Sequence, residues 1–298
     1  MSNVLSRDRK LTILRLLVEG NSLRGITRAT ACHRSAVTRV LTEVGDSCRQ
    51  FLDEQMRNLK LRHIQADEVW TFVAKKQARL TMREREQRGD IGDMYLWVAF
   101  DEDTKLVPTF ILGKRSADMA RRFMVDLAKR LTPFPNPHAS DDHAFRLGQI
   151  QPITQLSTDG FAPYPEAVDL AFGRYVRYGQ CIKDFRNANL PYTPSEMVGT
   201  VRKPIFGLLR PSEIGTSHVE RNNATIRHFV KRFARLSYCF SRTLDNLAAA
   251  CALHFAYFNY CWRPRTTRIT PAMAAGITQT LWSVENLYDY VSNNYQEK

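Results

Sequence analysis

Three acids stand where carboxylates could work together: Asp67, Asp159 and Glu220. Asp67 opens a run rich in β-branched and aromatic residues, and Asp159 sits in the small-residue turn Ser157-Thr158-Asp159-Gly160. Glu220 is the one acid in Ser217 to Phe240, and from Arg221 to Arg242 there follow six Lys/Arg and no Asp or Glu. Carboxylates that converge repel one another unless a cation lies among them. Hard oxygen ligands select Mg²⁺ or Mn²⁺. Two such ions activate an attacking oxygen and stabilise a leaving one in a phosphodiester displacement. The basic residues after Glu220 would hold a phosphate backbone in register. Read as one helix, that stretch places Arg227, Lys231 and Arg235 on the face of Glu220, and Arg221 and Arg232 off it.

Each acid also has a plainer reading. Asp67 could cap a strand end, and Glu68 is its immediate rival. Strand alternation puts the two on opposite faces, so one of them points at a site. Asp159 before Gly160 could be a turn residue, and Glu220 could offset a helix dipole. Asp101 and Asp103 read as hairpin acids. His218 could contact a scissile phosphate or simply pack.

The elements needed to bring the three acids together are present in the right order. Glu68–Ala74, Met94–Phe100 and Leu106–Leu112 read as three strands, with Lys75–Asp90 as an excursion between the first two. Pro108 suits an edge or a bulge. Ser116 caps an amphipathic helix, Ala117–Leu131, and Pro133–His143 reads as a loop. Ile153–Ser157, Pro163–Phe172 and Arg174–Tyr178 read as strand, helix and strand. Three antiparallel strands followed by β-α units give an α/β class, a ribonuclease H-like core with a mixed five-stranded sheet and flanking helices. In that topology the first and fourth strands are neighbours, and a later helix packs across their ends.

Ahead of this core, three short helices are expected. Leu11, Leu14, Leu16, Leu17 and Val18 form a stripe stopped by Gly20-Asn21. Ser22 caps Leu23–Thr30. After a tight connection at Ala31–Arg34, Ser35 caps Ala36–Val44, which Gly45 ends. This is the pattern of a helix-turn-helix, in which Arg34, Ser35, Thr38 and Arg39 would face DNA. A small dimerisation bundle is the alternative. Residues 46–62 continue as a connector. The expected division is 1–62 helix-turn-helix and connector, 63–243 core with an insertion at about 181–216, and 244–298 a helical extension. The insertion would touch DNA or a second protomer.

With 298 residues, 44% apolar, the chain can bury a substantial core. A net charge of +13 suits a polyanion such as nucleic acid. The six cysteines form no CxxC pair and read as free thiols of a reducing compartment. The charged start lacks the apolar run of a secretion signal. Leu247–Tyr257 is too short to span a bilayer. No membrane association and a cytoplasmic location are expected.

Taken together, Ala66–Trp70 (ADEVW), Gly92–Leu131, Leu156–Gly173 (LSTDGFAPYPEAVDLAFG), Thr216–Asn223 (TSHVERNN), the run on to Phe240-Ser241, and Arg268–Thr278 (RITPAMAAGIT) resemble the DDE transposases of IS1-type insertion sequences. The resemblance covers most of the chain from about residue 64. It implies a ribonuclease H-like catalytic domain with Asp67, Asp159 and Glu220 as catalytic and metal-binding residues. It also implies Mg²⁺-dependent cutting at element ends and joining of the freed 3′-OH to target DNA, with Mn²⁺ able to substitute. Double-stranded DNA and further copies of the chain, in a homo-oligomer, are the expected partners. Members often begin with a zinc-binding cysteine cluster, which this sequence lacks, so recognition of ends is expected to rest on the helix-turn-helix. A non-catalytic DNA-binding regulator is the alternative.

Overall fold

The computed structural model describes residues 5–132, 154–186 and 196–295. The expected loop at Pro133–His143 and the first residue of the expected fourth strand lie outside them. The fold is mixed α/β: one six-stranded mixed sheet with helices around it. The strands are β1 (His63–Val73), β2 (Gly92–Asp101), β3 (Phe110–Gly113), β4 (Thr154–Thr158), β5 (Val176–Arg186) and β6 (Glu196–Phe206). Their spatial order is β3-β2-β1-β4-β5-β6. The central pairs β1/β4 and β4/β5 are parallel, and the outer pairs are antiparallel.

A five-stranded sheet is expected from the sequence, and the structure corrects this to six strands. β5 runs on to Arg186, well past Tyr178, and pairs with β6 inside the segment read as an insertion. β6 is an edge strand and is exposed along nearly its whole length. It therefore lacks the apolar alternation that marks a half-buried strand. β3 begins at Phe110 rather than Leu106, with Pro108 just outside it. The fully buried Asn259 side chain pairs with both the N–H and the C=O of Val107, at 3.1 and 2.9 Å, and so replaces a strand partner there.

The helices are α1 (Arg7–Val18), α2 (Leu23–Thr30), α3 (Arg34–Gln55), α4 (Met82–Gln87), α5 (Ala117–Arg130), α6 (Tyr164–Phe172), α7 (Ser217–Phe229), α8 (Leu244–Tyr260), α9 (Pro271–Ala274) and α10 (Val284–Tyr295). Ser6, Ser22, Ser116 and Thr243 each cap a helix through a side-chain oxygen. Ala31, at φ 54°, makes the left-handed turn between α2 and α3.

Two helix boundaries differ from the sequence reading. α3 starts at Arg34 and is capped by His33, whose Nδ1 accepts the N–H of Ser35 at 3.3 Å and pairs with its hydroxyl at 2.8 Å. It then runs through Gly45 without a break. The basic stretch after Glu220 is not one helix either. α7 ends at Phe229, Val230 is extended, and Lys231–Phe233 forms a 3₁₀ turn pinned by the Thr71 hydroxyl donating to the Arg232 carbonyl at 3.1 Å. Helical spacing thus does not carry Lys231 or Arg235 onto the face of Glu220.

One apolar core runs from Leu11 through the sheet to Val291. α3 lies along α8, and α10 packs on both. Arg7 pairs with Asp289 at 2.6 Å, and Arg15 pairs with Glu285, tying the first helix to the last. All six cysteines are free. Among the described residues no helix is long and apolar enough to cross a membrane.

Candidate metal and catalytic site

β1 and β4 run parallel with Ala66 beside Thr158. One step further along each chain stand Asp67 and Asp159, so strand register alone brings these two acids level. Asp67 is mid-strand rather than at a strand start, because β1 begins at His63. Strand alternation then sends the two neighbours to opposite sides. Asp67 meets α7, where Asn223 Nδ2 donates to its Oδ2 at 2.8 Å. Glu68 meets the α5–α6 side, where it accepts from the Tyr164 hydroxyl and from Arg115 Nε at 3.1 Å.

Asp159 follows the end of β4, where its Oδ1 accepts the Phe161 N–H at 3.0 Å. Oxygens of Asp67, Glu68 and Asp159 lie within 4.8 Å of one another. Alternation had been expected to admit only one of Asp67 and Glu68. Both approach, because Asp159 sits beyond the sheet rather than on one of its faces.

The cations decide between the two rivals. Arg115 reaches Glu68 with Nε and Asp159 with Nη2, at 3.1 and 3.2 Å, and stacks over the Phe161 ring at 4.0 Å. The Glu68 side chain is only 3% exposed and is committed to Arg115 and Tyr164. Asp67 makes no ion pair among the described residues, and the cation that acts on it, Arg227, does so from a distance and is itself half-buried. Its hydrogen bonds come from Asn223 and the Glu68 N–H, both neutral. Burial first, then the charges of Glu68 and Asp159, push the Asp67 carboxyl up to about 7. Burial, followed by the charge of Asp159, raises Glu68 as well, against Tyr164 and Arg115. Asp67 is thus the carboxylate left wanting a positive charge.

Glu220 stands apart from the three-acid group. Its Oε1 accepts from the Thr216 hydroxyl at 2.5 Å and is paired with Lys183 of β5. Its charge still reaches Asp67 and adds to the upward shift there. α7 is aimed by β1 itself. Gln65 Oε1 accepts the N–H groups of His218 and Val219, at 2.9 and 3.1 Å, which the helix's own N-cap, Thr216, leaves unbonded. Gln65 Nε2 in turn donates to Glu102 at 3.0 Å, and His218 Nε2 lies 3.5 Å from the same carboxylate. His218 therefore faces Glu102. Asp101 caps its turn through Thr104, and Asp103 pairs with His63, as hairpin acids do.

Gln65→Leu is expected to remove this cap. It should cost about 1–2 kcal/mol of stability, the usual loss for a helix cap, and lower any cleavage activity by more than tenfold by freeing the first turn that carries Glu220. Chemical denaturation and a cleavage assay, run side by side, check the two parts.

Arg34 and Arg39 are exposed at the start of α3, and Arg39 lies 3.7 Å from Glu43. Ser35 belongs to the α3 cap, and the Thr38 hydroxyl donates to the Arg34 carbonyl at 3.0 Å. Arg227 is half-buried beside Asp67 and donates to the Trp70 carbonyl at 3.5 Å. Burial, then the charge of Arg235, lowers its pKa. Lys231 and Arg235 are exposed beyond the helix end.

The donor set is all oxygen, its atoms lie within 4.8 Å of one another, and Asp67 has no ion-pair partner among the described residues, so the group fits a hard divalent cation such as Mg²⁺ or Mn²⁺. The sequence reading did not find Arg115, Lys183 or Asn223. Isolated cations and amides in a chain with 43 Lys/Arg carry no signal until the fold places them.

No protein-family model matches the sequence, and no curated protein matches it. Among solved structures, a pre-cleavage Mos1 transpososome is 11% identical, with 60% of this chain and 61% of that chain covered and a TM-score of 0.23. The Mos1 transposase paired-end complex with left transposon end is 14% identical, with 58% of each chain covered and a TM-score of 0.20. The chain spans about three-fifths of the length of these structures. At such TM-scores the likeness carries no weight, and the functional reading rests on the geometry of the chain itself.

Proposed function

We propose that this protein is a metal-dependent DNA strand-transfer enzyme, a DDE transposase with a ribonuclease H-like core, and that an insertion element of the IS1 type is its substrate. The observation that carries the reading is the placement of Asp67 on β1 level with Asp159 just past the end of the adjacent parallel β4, with Glu220 on a helix that Gln65 of β1 caps. Asp67 and Asp159 would hold the ion, with Glu220 as the third ligand. Bound divalent ions supply an activated attacking oxygen and a stabilised leaving oxygen in phosphodiester displacement.

The residues of the chain do the rest. Asn223 orients the Asp67 carboxylate, and Gln65 holds the first turn of α7. Arg115 neutralises Glu68 and Asp159 while no ion is bound. Arg227 and the exposed Lys231 and Arg235 attract the phosphate backbone, and His218 steadies the start of α7 through Glu102. In this reading residues 1–62 form the DNA-binding unit, with Arg34, Ser35, Thr38 and Arg39 at its leading helix. The chain acts as a homo-oligomer on paired ends in the cytoplasm.

The test is a calorimetric Mn²⁺ titration of the purified protein, paired with Mg²⁺-dependent cleavage and joining of end-sequence DNA. Wild type is expected to bind Mn²⁺ and yield strand-transfer products, and Asp159→Asn and Glu220→Gln to lose both. Equal cleavage by wild type and these variants would overturn the assignment. Hydrolysis without joining would leave a nuclease of the same fold.

Lys183 competes with an ion for Glu220. Lys183→Ala is therefore expected to tighten Mn²⁺ binding by on the order of tenfold, since a cation within a few ångströms of a ligand costs more than 1 kcal/mol at the effective dielectric of a protein surface. The same titration reads it, and an unchanged or weakened affinity would show that Lys183 supports the site instead.

A further inference from the structure

A second feature lies away from the carboxylates. A cleft of about 590 Å³ opens between the N-terminal helices and the segment that follows α7. Five cations line it: Arg24 and Arg34 from one wall, and Lys231, Arg232 and Arg242 from the other. No Asp or Glu lines it. Among the described residues, none of the five makes an ion pair, although the chain pairs many of its other arginines. Arg232 is half-buried, and the other four, Arg24, Arg34, Lys231 and Arg242, are exposed around one cleft, where they repel each other and a polyanion relieves that repulsion.

The cleft also carries an aromatic that nothing in the fold uses. Tyr238 lines it and is 99% exposed. Two residues earlier Leu236 adopts φ 52° and is 88% exposed. A leucine in the left-handed region is uncommon and costs of order a kcal/mol. The turn that presents Tyr238 to solvent is thus held in place against its own preference.

Size selects among nucleic-acid occupants. A space of this volume matches a small-molecule pocket and holds one or two nucleotides. A duplex is far too thick to enter. Arg34 was expected to read a major groove from α3, yet it also turns toward this cleft.

We propose that the cleft between α2–α3 and the Lys231–Arg242 segment binds a single-stranded stretch of DNA, with the cations on its phosphates and an unstacked base against Tyr238. The choice of DNA rests on the function proposed above, while the cleft itself does not include any of the three acids. Aromatic and cationic residues together are the usual means of holding a strand without regard to sequence. The site would take a strand freed next to a duplex held by α3, and so joins the N-terminal unit to the region after α7.

The test uses the full-length protein in EDTA and a short fluorescein-labelled oligothymidylate, read by fluorescence anisotropy. Arg24→Ala with Arg242→Ala is expected to weaken single-strand binding by more than tenfold. Tyr238→Ala is expected to weaken it by on the order of tenfold, as loss of one base–aromatic stack does. Both changes are at exposed positions, and circular dichroism and thermal melts matching wild type confirm that the variants fold. Free thymidine monophosphate should not compete at equal nucleotide concentration, and a duplex of the same length should lose less affinity than the single strand. Wild-type single-strand affinity in the variants would overturn the proposal, as would equal losses for duplex and single strand or full competition by the mononucleotide.

Mn²⁺ binding separates this result from the one above. If the variants lose the oligonucleotide while wild type binds no Mn²⁺, the cleft stands and the catalytic reading falls. If Mn²⁺ binds and the oligonucleotide affinities do not change, only the cleft falls.

Discussion

Asp67→Asn is expected to make the ion-free protein more stable and the ion-loaded protein less stable than wild type. The sign follows from linkage. The folded pKa is raised, from 3.8 to about 7, so the fold favours the protonated acid. Below 3.8 both states are protonated and the shift contributes nothing against the fold. As pH rises through the window from 3.8 to about 7, the folded state must either keep its proton or accept an unfavourable charge, and stability falls. By pH 8 the whole penalty is present, about 1–3 kcal/mol after allowing for solvent near the carboxylates. Asn removes the charge. It can still accept from Asn223, but loses one of the two hydrogen bonds that Asp67 accepts.

Addition of Mn²⁺ should reverse the order. A ligand that binds only the folded state stabilises it by about 2.7 kcal/mol at a hundredfold excess over its dissociation constant. Wild type is expected to gain this and Asp67→Asn to gain little. Thermal melts at pH 4, 6 and 8, in EDTA and in Mn²⁺, read the whole pattern. If the variant melts below wild type in EDTA at pH 8, Asp67 is not the uncompensated acid. If Mn²⁺ raises both melts equally, the ion sits elsewhere. Glu68→Gln is the internal control. It leaves the Arg115 charge facing Asp159 alone and is expected to destabilise the protein with or without the ion.

Much of this site was legible because strand order and the position of an acid along a strand are both written locally. The β-branched run around Asp67 and the small-residue turn at Asp159 marked the two strands, and the order of elements made them neighbours. What was not legible depends on partners far apart in the chain. Glu68 was read as a rival of Asp67, with alternation admitting one of the two, but its role is set by Tyr164 and Arg115, 96 and 47 residues away. The break after Phe229 has no Gly or Pro to announce it. It is fixed by burial of Val230 and Phe233 and by the Thr71 bond. β6 was missed because an edge strand exposed on nearly every residue has no periodicity to detect. The stretch 217–240 reads as one helix, and the part after Phe229 instead forms one wall of the basic cleft.

Gly45 shows the same limit and gives the second large effect. After Val37, Val40, Leu41 and Val44, a glycine reads as a helix stop. In the structure α3 continues for ten residues beyond it. Gly45 is there because α8 crosses α3 at that point: a Cβ added at Gly45 would lie 2.7 Å from the Ala249 Cα. The obstacle is backbone, which cannot swing aside. Two principles therefore disagree about Gly45→Ala. Helix propensity favours alanine over glycine by about 1 kcal/mol, whereas overpacking of a tight contact costs about 1–3 kcal/mol. Close backbone approach makes packing win, so Gly45→Ala should be destabilising. Gly45→Val should cost about 3 kcal/mol or more and lower the melting temperature by on the order of 10 °C. Gly45→Asn separates the two readings, since asparagine tolerates the left-handed geometry of a helix stop but not a blocked crossing. It is expected to be as damaging as valine in urea denaturation. A well-tolerated asparagine would mean that α3 ends at Gly45 and that α8 does not hold the N-terminal helices against the sheet.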